Sequence, residues 1–426
     1  MTSDLRFWLT LAVFAATLLC ILIRPRGLHE AWGAVGGGLL MLILHLETPA
    51  QAWRVTQTGQ DALLFLLSLL LLSALLERSG FFEWAAVQAA RRAQGDGRRL
   101  YRNVFLLGAL ITATLSLDTT AVILTPVVLG FVSRLKLPAR PYLFACAFVA
   151  NAASLPLPVS NLTNLLFTGA FHLPFAGFFA RMILPQCAAL TLNYFLFRRL
   201  FRNELPPEFS GDGLPEPQSL VPNEGYFRVS VGILCLVLIG YFAAPFVHLP
   251  PYAVGFAGCL GLAIWGVRTQ RVDRSLVREI SWSVFPFVVG LFVVIGGVEN
   301  LGLTGNVAQS LTSLQRHPLL GILAVAGGAG AASNVVNNIP AALLARSVLQ
   351  QAHSGAPLMY AALLGTNIGP NLTLSGSLAT LLVREAARRK GEDLRAGDFL
   401  QIGLRVTPLM LLVSALTLWL TFLLVR

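Results

Sequence analysis

Fixed charge is scarce in this chain. Only 12% of its 426 residues are Asp, Glu, Lys or Arg, where a soluble domain carries roughly 25%, so an ordinary soluble domain is excluded. Cysteine is sparse as well. Cys20, Cys146, Cys187, Cys235 and Cys259 lie far apart and form no CxxC pair, which leaves no basis for a disulfide framework or a zinc ribbon. The six histidines are scattered, and His29-Glu30 lacks the second His of an HExxH helix. No P-loop ending in GKS or GKT and no GxSxG elbow occurs. One intramembrane acid does not make an aspartyl dyad. The expectation is a protein that is not an enzyme and uses no cofactor.

What the sequence has in abundance is apolar length. Hydrophobic residues make up 55% of it, with a mean hydropathy of +0.70. Runs at Leu5–Ile23, Ala62–Leu76, Val229–Phe246, Trp282–Val298 and Val406–Val425 stand out, and about 20 apolar residues cross a bilayer. The fold class is therefore an all-α polytopic membrane protein. The first run is long for a signal sequence and no small-residue cleavage site follows, so it reads as a retained span. The net charge of +11 does not call for nucleic acid. Its arginines cluster in short loops at Arg24/Arg26, Arg91–Arg102, Arg134–Arg140, Arg198–Arg202, Arg268–Arg278 and Arg384–Arg395, as cytoplasmic loops should.

Placing those loops on one side fixes a topology. Spans at about 5–23, 32–46 and 62–76 precede a short mixed segment at 80–90, which fits an interfacial helix better than a span. Two short apolar limbs, Val104–Ser116 and Thr119–Val132, begin and end at basic loops. They predict a re-entrant hairpin (about 103–134) with LDTTAV at its tip. The run Tyr142–Ala170 is interrupted at SLPLPVSN and predicts a broken span; Phe175–Phe197 returns. Residues 203–227 form a linker rich in Pro, Gly and acid at its start. The pattern then recurs with opposite orientation: spans at about 229–246, 252–266 and 282–298, an interfacial piece at 303–314, an outer-side hairpin at about 318–350, a broken span at 358–383 and a last span. This gives about ten transmembrane helices plus two re-entrant hairpins, in two inverted repeats, 1–202 and 228–426.

Residue pairs echo the repeat. Glu77-Arg-Ser-Gly80 matches Glu299-Asn-Leu-Gly302, Pro126 matches Pro340, and PLPVSNLTNLL (156–166) matches PNLTLSGSLATLL (370–382), with offsets between 214 and 222 residues. Inverted repeats with discontinuous helices at matching places point to a secondary transporter with its site at the midplane.

Four polar stretches sit at these interruptions: LDTTAV (117–122), NAASLPLPVSNLTN (151–164), SNVVNNIP (333–340) and GTNIGPNLTLSGSLAT (365–380). Any one Asn, Ser or Thr there could be a cap satisfying freed backbone. As a set they enclose a pocket of donors and acceptors. Ser160 and Asn164 at a spacing of four, Asn161 and Asn164 at three, and Ser377 and Thr380 at three would share a helical face. The predicted solute-binding residues are Thr119, Asn151, Ser160, Asn161, Asn164, Asn337, Asn338, Asn367, Ser375 and Ser377. Such a site suits a small neutral polyhydroxylated solute or a partly dehydrated cation. A dicarboxylate would call for Arg or Lys, and these stretches contain neither. Asp118 is the carboxylate among them, and an intramembrane acid that can exist neutral is a candidate proton carrier. Its alternative role is a cap on the second hairpin limb through the Thr119 or Thr120 N–H. Glu77 and Glu299 are expected to pair with loop arginines.

ERSGFFEWAA (77–86), DTTAVILTPVVL (118–129), ASLPLPVSNLTNLL (153–166), VVNNIP (335–340) and GPNLTLSGSLATLL (369–382) resemble the ArsB family of arsenite efflux permeases, in the ion transporter superfamily. The resemblance runs from about residue 20 to the C-terminus. It implies a multi-pass protein of the bacterial inner membrane that exports arsenite and antimonite in exchange for protons. Some relatives associate with an arsenical-pump ATPase; lipid is the other partner, no nucleic acid is implied, and a monomer or a homodimer fits. Arsenite at neutral pH is mainly the uncharged triol As(OH)₃, which amides and hydroxyls can grip. Thiols hold arsenic(III) strongly, and the predicted tips and breaks carry none. Relatives often have Asp at positions 151 and 367 and Lys at 371, where this chain has Asn. That difference concentrates proton coupling on Asp118 or replaces it with facilitated exit. A sodium/proton antiporter of the same superfamily, a passive channel, and the membrane subunit of an ATPase-driven arsenite pump are the alternatives.

Overall fold

A computed structural model describes residues 3–424. In chain order the first half contains α1 (Ser3–Ile23), α2 (Glu30–Ile43), α3 (Pro49–Thr58), α4 (Gln60–Arg78) and α5 (Phe81–Arg91). It continues with α6 (Gly97–Thr114), α7 (Leu117–Arg134), α8 (Ala139–Ala152), α9 (Leu162–Ala170) and α10 (Phe175–Leu200). The second half contains α11 (Glu224–Ala243), α12 (Pro251–Arg268), α13 (Val284–Glu299), α14 (Leu303–Leu314) and α15 (Pro318–Val336). It ends with α16 (Asn338–Gln351), α17 (Ala356–Ile368), α18 (Leu378–Arg389) and α19 (Ala396–Leu424). The protein is all-helical; the described residues form no strand beyond one isolated bridge, Asp96 to Glu208. Seven helices among them are long and apolar enough to cross a bilayer, and α2 and α13 are shorter apolar helices.

Helix ends follow local chemistry. Ser116 caps α7 through the Thr119 N–H, Asn161 caps α9 through Thr163, and Ser377 caps α18 through Ala379, each side-chain oxygen meeting an N–H that has no intrahelical partner. Gly80 before α5 and Gly302 before α14 take the left-handed conformation, with φ of 77° and 72°, where a side chain is disfavoured. The two breaks are built alike. Short 3₁₀ turns at Pro158–Ser160 and Gly369–Leu372 separate α8 from α9 and α17 from α18.

Three details differ from the sequence reading. The first hairpin turns at Leu115-Ser116, so LDTTAV lies in the opening turns of α7, which includes a π-helical segment at Thr120–Leu124. Helix α3 was not anticipated, although Thr48 and Gln51 form the reciprocal capping box that marks a helix start. The linker is tied down. Phe209 N–H bonds the Gly95 carbonyl at 2.7 Å, Arg91 reaches Leu214 and Pro215 carbonyls, Arg271 reaches the Pro222 carbonyl at 2.6 Å, and Arg140 pairs with Glu204 at 2.6 Å. The basic loops of both halves thus meet at one end of the helix bundle.

Packing brings the breaks together. Helix α9 packs on α16, and α18 packs on both α8 and α7, so each broken helix crosses the hairpin of the other half. Away from the breaks, α2 and α13 approach closely because Gly290 lies on the Ala34 backbone. A Cβ at Gly290 would fall 2.5 Å from the Ala34 carbonyl atoms, whereas one at Gly36 would meet nothing within 4 Å. Gly290→Ala is expected to lower stability by about 1–3 kcal/mol and Gly36→Ala to be neutral or slightly stabilising. Thermal unfolding of the detergent-solubilised protein checks the contrast; equal melting temperatures would refute it.

Candidate functional site

Asn367, in the last turn of α17, is the hub of the buried polar network. Its Oδ1 accepts from Ser154 Oγ and from Asn161 Nδ2, both at 2.6 Å. Its Nδ2 donates to Asn164 Oδ1 at 3.0 Å and to the Leu363 carbonyl at 2.7 Å. Asn151, at the end of α8, donates through Nδ2 to Asn371 Oδ1 and to Thr380 Oγ1, both at 2.9 Å. Side chains of the two breaks therefore bond directly across the halves of the chain. All of these residues are buried, and the network contains amides and hydroxyls with no Lys or Arg.

The same amides satisfy the interrupted backbone. Asn164 Nδ2 donates to the Ser154 carbonyl at 2.7 Å and the Leu157 carbonyl at 3.1 Å. Asn334 Nδ2 donates to the Gly330 and Gly369 carbonyls at 2.8 Å, while its Oδ1 accepts from the Thr373 N–H and hydroxyl. Asn337, left-handed at φ 76°, caps α16 and donates to the Ser375 carbonyl at 3.0 Å. Asn371 Nδ2 reaches the Phe148 carbonyl at 3.3 Å. Three buried side-chain atoms in these stretches have no protein partner: Asn151 Oδ1, Thr163 Oγ1 and Asn338 Oδ1.

Most predicted residues converge, with exceptions. Asn151, Asn161, Asn164 and Asn367 form the cross-half network. Ser377 is a cap, and Ser375 contributes its carbonyl and a hydroxyl 3.4 Å from Thr373. Ser160 precedes α9 rather than sharing its face, and its hydroxyl bonds the Ala113 carbonyl at 2.7 Å; the helical-spacing argument fails for it because the helix starts two residues later. Thr119 bonds Ser73 at 2.9 Å and Ser116 at 3.0 Å. Ser154, Asn371, Thr380 and Asn334 were not singled out for binding. Their proximity to Pro or Gly at a break was the available signal.

Asp118 follows that cap on α7. Ser116, not Asp118, takes the Thr119 N–H, and among the described residues the Asp118 carboxylate has no hydrogen bond or ion pair. It lines a cavity of about 80 Å³ together with Ser73, Glu77, Thr119, Glu279 and Ser281. Glu77 does not pair with a loop arginine as expected. Neighbouring Arg78 instead bonds Asp273 at 2.8 Å and Glu279 at 2.6 Å. Glu299 likewise makes no ion pair among the described residues.

The model of the family described as arsenical pump membrane protein matches residues 9–422. The arsenical pump membrane protein of Escherichia coli (strain K12) is 31% identical over 425 residues, covering 96% of this chain and 98% of that protein. Among solved structures, the YdaH transporter of Alcanivorax borkumensis aligns with a TM-score of 0.59 at 16% identity, covering 99% of this chain and 98% of that one. MtrF of Neisseria gonorrhoeae, described as illuminating a class of antimetabolite efflux pumps, aligns at 0.60 and 12% identity, covering 98% and 97%. At those identities the likeness establishes a shared fold.

Hydrogen bonds between membrane helices are worth about 0.6 kcal/mol on average, up to ~1.7. Asn367→Ala removes four and strands several buried partners, so it is expected to destabilise the protein by about 2 kcal/mol or more. Ser160→Ala, which removes one, should cost less than half as much. Thermal unfolding of the two variants side by side tests this; a Ser160→Ala effect equal to that of Asn367→Ala would deny Asn367 its place as hub.

Proposed function

The chain belongs to the ArsB family of arsenical pump membrane proteins, and on that footing we propose that it exports arsenite, and antimonite, as the neutral trihydroxide in exchange for protons. That it is a multi-pass arsenical transporter of the bacterial inner membrane follows from the family and the apolar helices; the proton exchange and the site are our reading. The observation that carries it is the uncharged amide–hydroxyl network joining the two breaks, with the unpaired carboxylate of Asp118 lining a separate cavity beside it.

A triol offers three O–H donors and three acceptor oxygens and no charge. Asn151 Oδ1 and Asn338 Oδ1 are acceptors without protein donors, and leaving such groups unmatched is costly. Hydroxyls of the solute would satisfy them and compete for the amides that bridge the halves, including Asn161, Asn164 and Asn367. Hydrogen bonds of this kind are reversible, unlike thiolate bonds to arsenic, so the cargo can leave.

In this reading, residues 1–202 and 228–426 are inverted repeats joined by the 203–227 segment, and the hairpins at about 103–134 and 318–350 are re-entrant from opposite sides. The paired caps at Ser116 and Asn337, Asn161 and Ser377, and Gly80 and Gly302 support it. The basic loops lie in the cytoplasm. A carrier that alternates access around this site needs no ATPase.

Purified protein in liposomes, without ATP, should accumulate arsenite when the lumen is acidic and stop when the gradient is collapsed. Asp118→Asn should reduce gradient-driven uptake by at least about 10-fold. Uptake that ignores the gradient in the unmodified protein points to facilitated exit, and uptake that follows sodium rather than arsenite points to the antiporter reading; either result overturns the proposal.

A further inference from the structure

The cavity beside Asp118 has an end that opens. Besides Asp118 and Thr119 of α7, its wall includes Ser73 and Glu77 of α4, Glu279 and Ser281 from the turn before α13, and Leu378 of α18. At about 80 Å³ it exceeds the ~10–15 Å³ that one water requires. Glu77 also lines a second cavity of about 310 Å³ with Val122, Ile123, Glu83, Arg134 and Lys390. Glu77, Val122 and Ile123 are common to both cavities, so Glu77 stands where the inner one meets the outer one, at the end of the bundle that carries the basic loops.

We propose that Glu77 is the port through which Asp118 exchanges protons with the aqueous phase on the basic-loop side. This rests on the reading of Asp118 as proton carrier. The inner end of the path is hydroxyl-lined: Ser73 lies one helical turn from Glu77 on the same face of α4 and bonds Thr119, the neighbour of Asp118, at 2.9 Å. Glu77 is exposed and its carboxylate makes no hydrogen bond or ion pair among the described residues, so no fixed partner holds it against a proton.

The charged groups around it account for that freedom. From α4 itself, Arg78 could neutralise Glu77. Its guanidinium is instead engaged by the Arg271 carbonyl at 3.2 Å, Asp273 at 2.8 Å, Ser275 at 2.5 Å and Glu279 at 2.6 Å. Glu279 faces the inner cavity already paired. Glu83 of α5, Arg134 of α7 and Lys390 beyond α18 face the outer cavity. Asp273, in its exposed loop, is held at about 2 by the Ser275 hydroxyl and by Arg78. A carboxylate depressed in the folded state contributes above its ordinary value and loses that contribution as pH falls through the folded one. The clamp on Arg78 therefore persists across working pH, and its guanidinium stays committed to that loop rather than bonded to Glu77.

The test uses the full-length protein in liposomes. Glu77→Gln should lower the kcat of gradient-driven arsenite uptake about 10-fold with KM changed less than twofold, Glu77→Asp should restore most of the rate, and Glu83→Gln should match the unmodified protein. In detergent solution, proton release on arsenite addition, followed with a pH dye, should slow about 10-fold in Glu77→Gln. An unaltered kcat and release rate in Glu77→Gln, alongside a dead Asp118→Asn, would overturn the port while leaving Asp118 as carrier. Full gradient-driven uptake in Asp118→Asn would remove the carrier and the port with it. A rise in KM with kcat unchanged would assign Glu77 to solute binding and also overturn the port.

Discussion

A helix interrupted inside hydrocarbon must find partners for the backbone groups it frees, and everything in the centre of this protein answers that demand. Each unpaired amide or carbonyl there costs more than a typical hydrogen bond contributes. The chain interrupts α8–α9 and α17–α18 and meets the cost with side-chain amides. Asn164 takes two carbonyls of the first break, Asn334 takes Gly330 and Gly369 around the second, and Asn337 takes Ser375. A planar amide suits this work because one group both donates and accepts.

Satisfying the backbone in this way also builds the network proposed as the site. Once the amides are present at both breaks, the remaining lone pairs and N–H groups bond one another across the halves, through Asn367 and Asn151. Under the proposed function, structural and solute-binding roles fall on the same residues. Loss of transport in an Asn variant of the network therefore says little unless stability is measured beside it. Asp118 and Glu77 are different. Neither carboxylate bonds a backbone group or another side chain among the described residues, so under the proposed function their replacement would test proton transfer with least disturbance to the fold.

Much of this was legible in the chain, for physical reasons. Apolar run length gave the helices, and Pro and Gly next to Asn and Ser gave the breaks. What period and composition do not carry is the direction of a side chain at an irregular turn. Ser160 was expected on the face of α9, yet it lies before the helix and bonds Ala113. The cap of α7 was within reach of either Ser116 or Asp118 by sequence, and only the dihedral angles of the turn choose Ser116. The escape of Glu77 from its neighbour Arg78 depends on a loop nearly 200 positions away, a tertiary contact with no local signature.

The breaks also bear on which solute the proposed site would prefer. A hard cation sheds water only for a shell of oxygens, of the order of six for the divalent ions, and a broken helix is the usual source of bare carbonyls. Here the amide N–H groups already occupy many of them: Ser154, Leu157, Phe148, Leu363, Gly369 and Ser375 all accept from asparagine. Under the proposed function these bonds weigh against a bare cation, which would have to share each of those carbonyls with an amide. The unmatched buried side-chain atoms at the breaks are two amide oxygens and one hydroxyl. They suit a small molecule that brings its own hydroxyl donors, and for such a solute charge neutrality is an advantage, because nothing in the network must be neutralised before it enters or after it leaves.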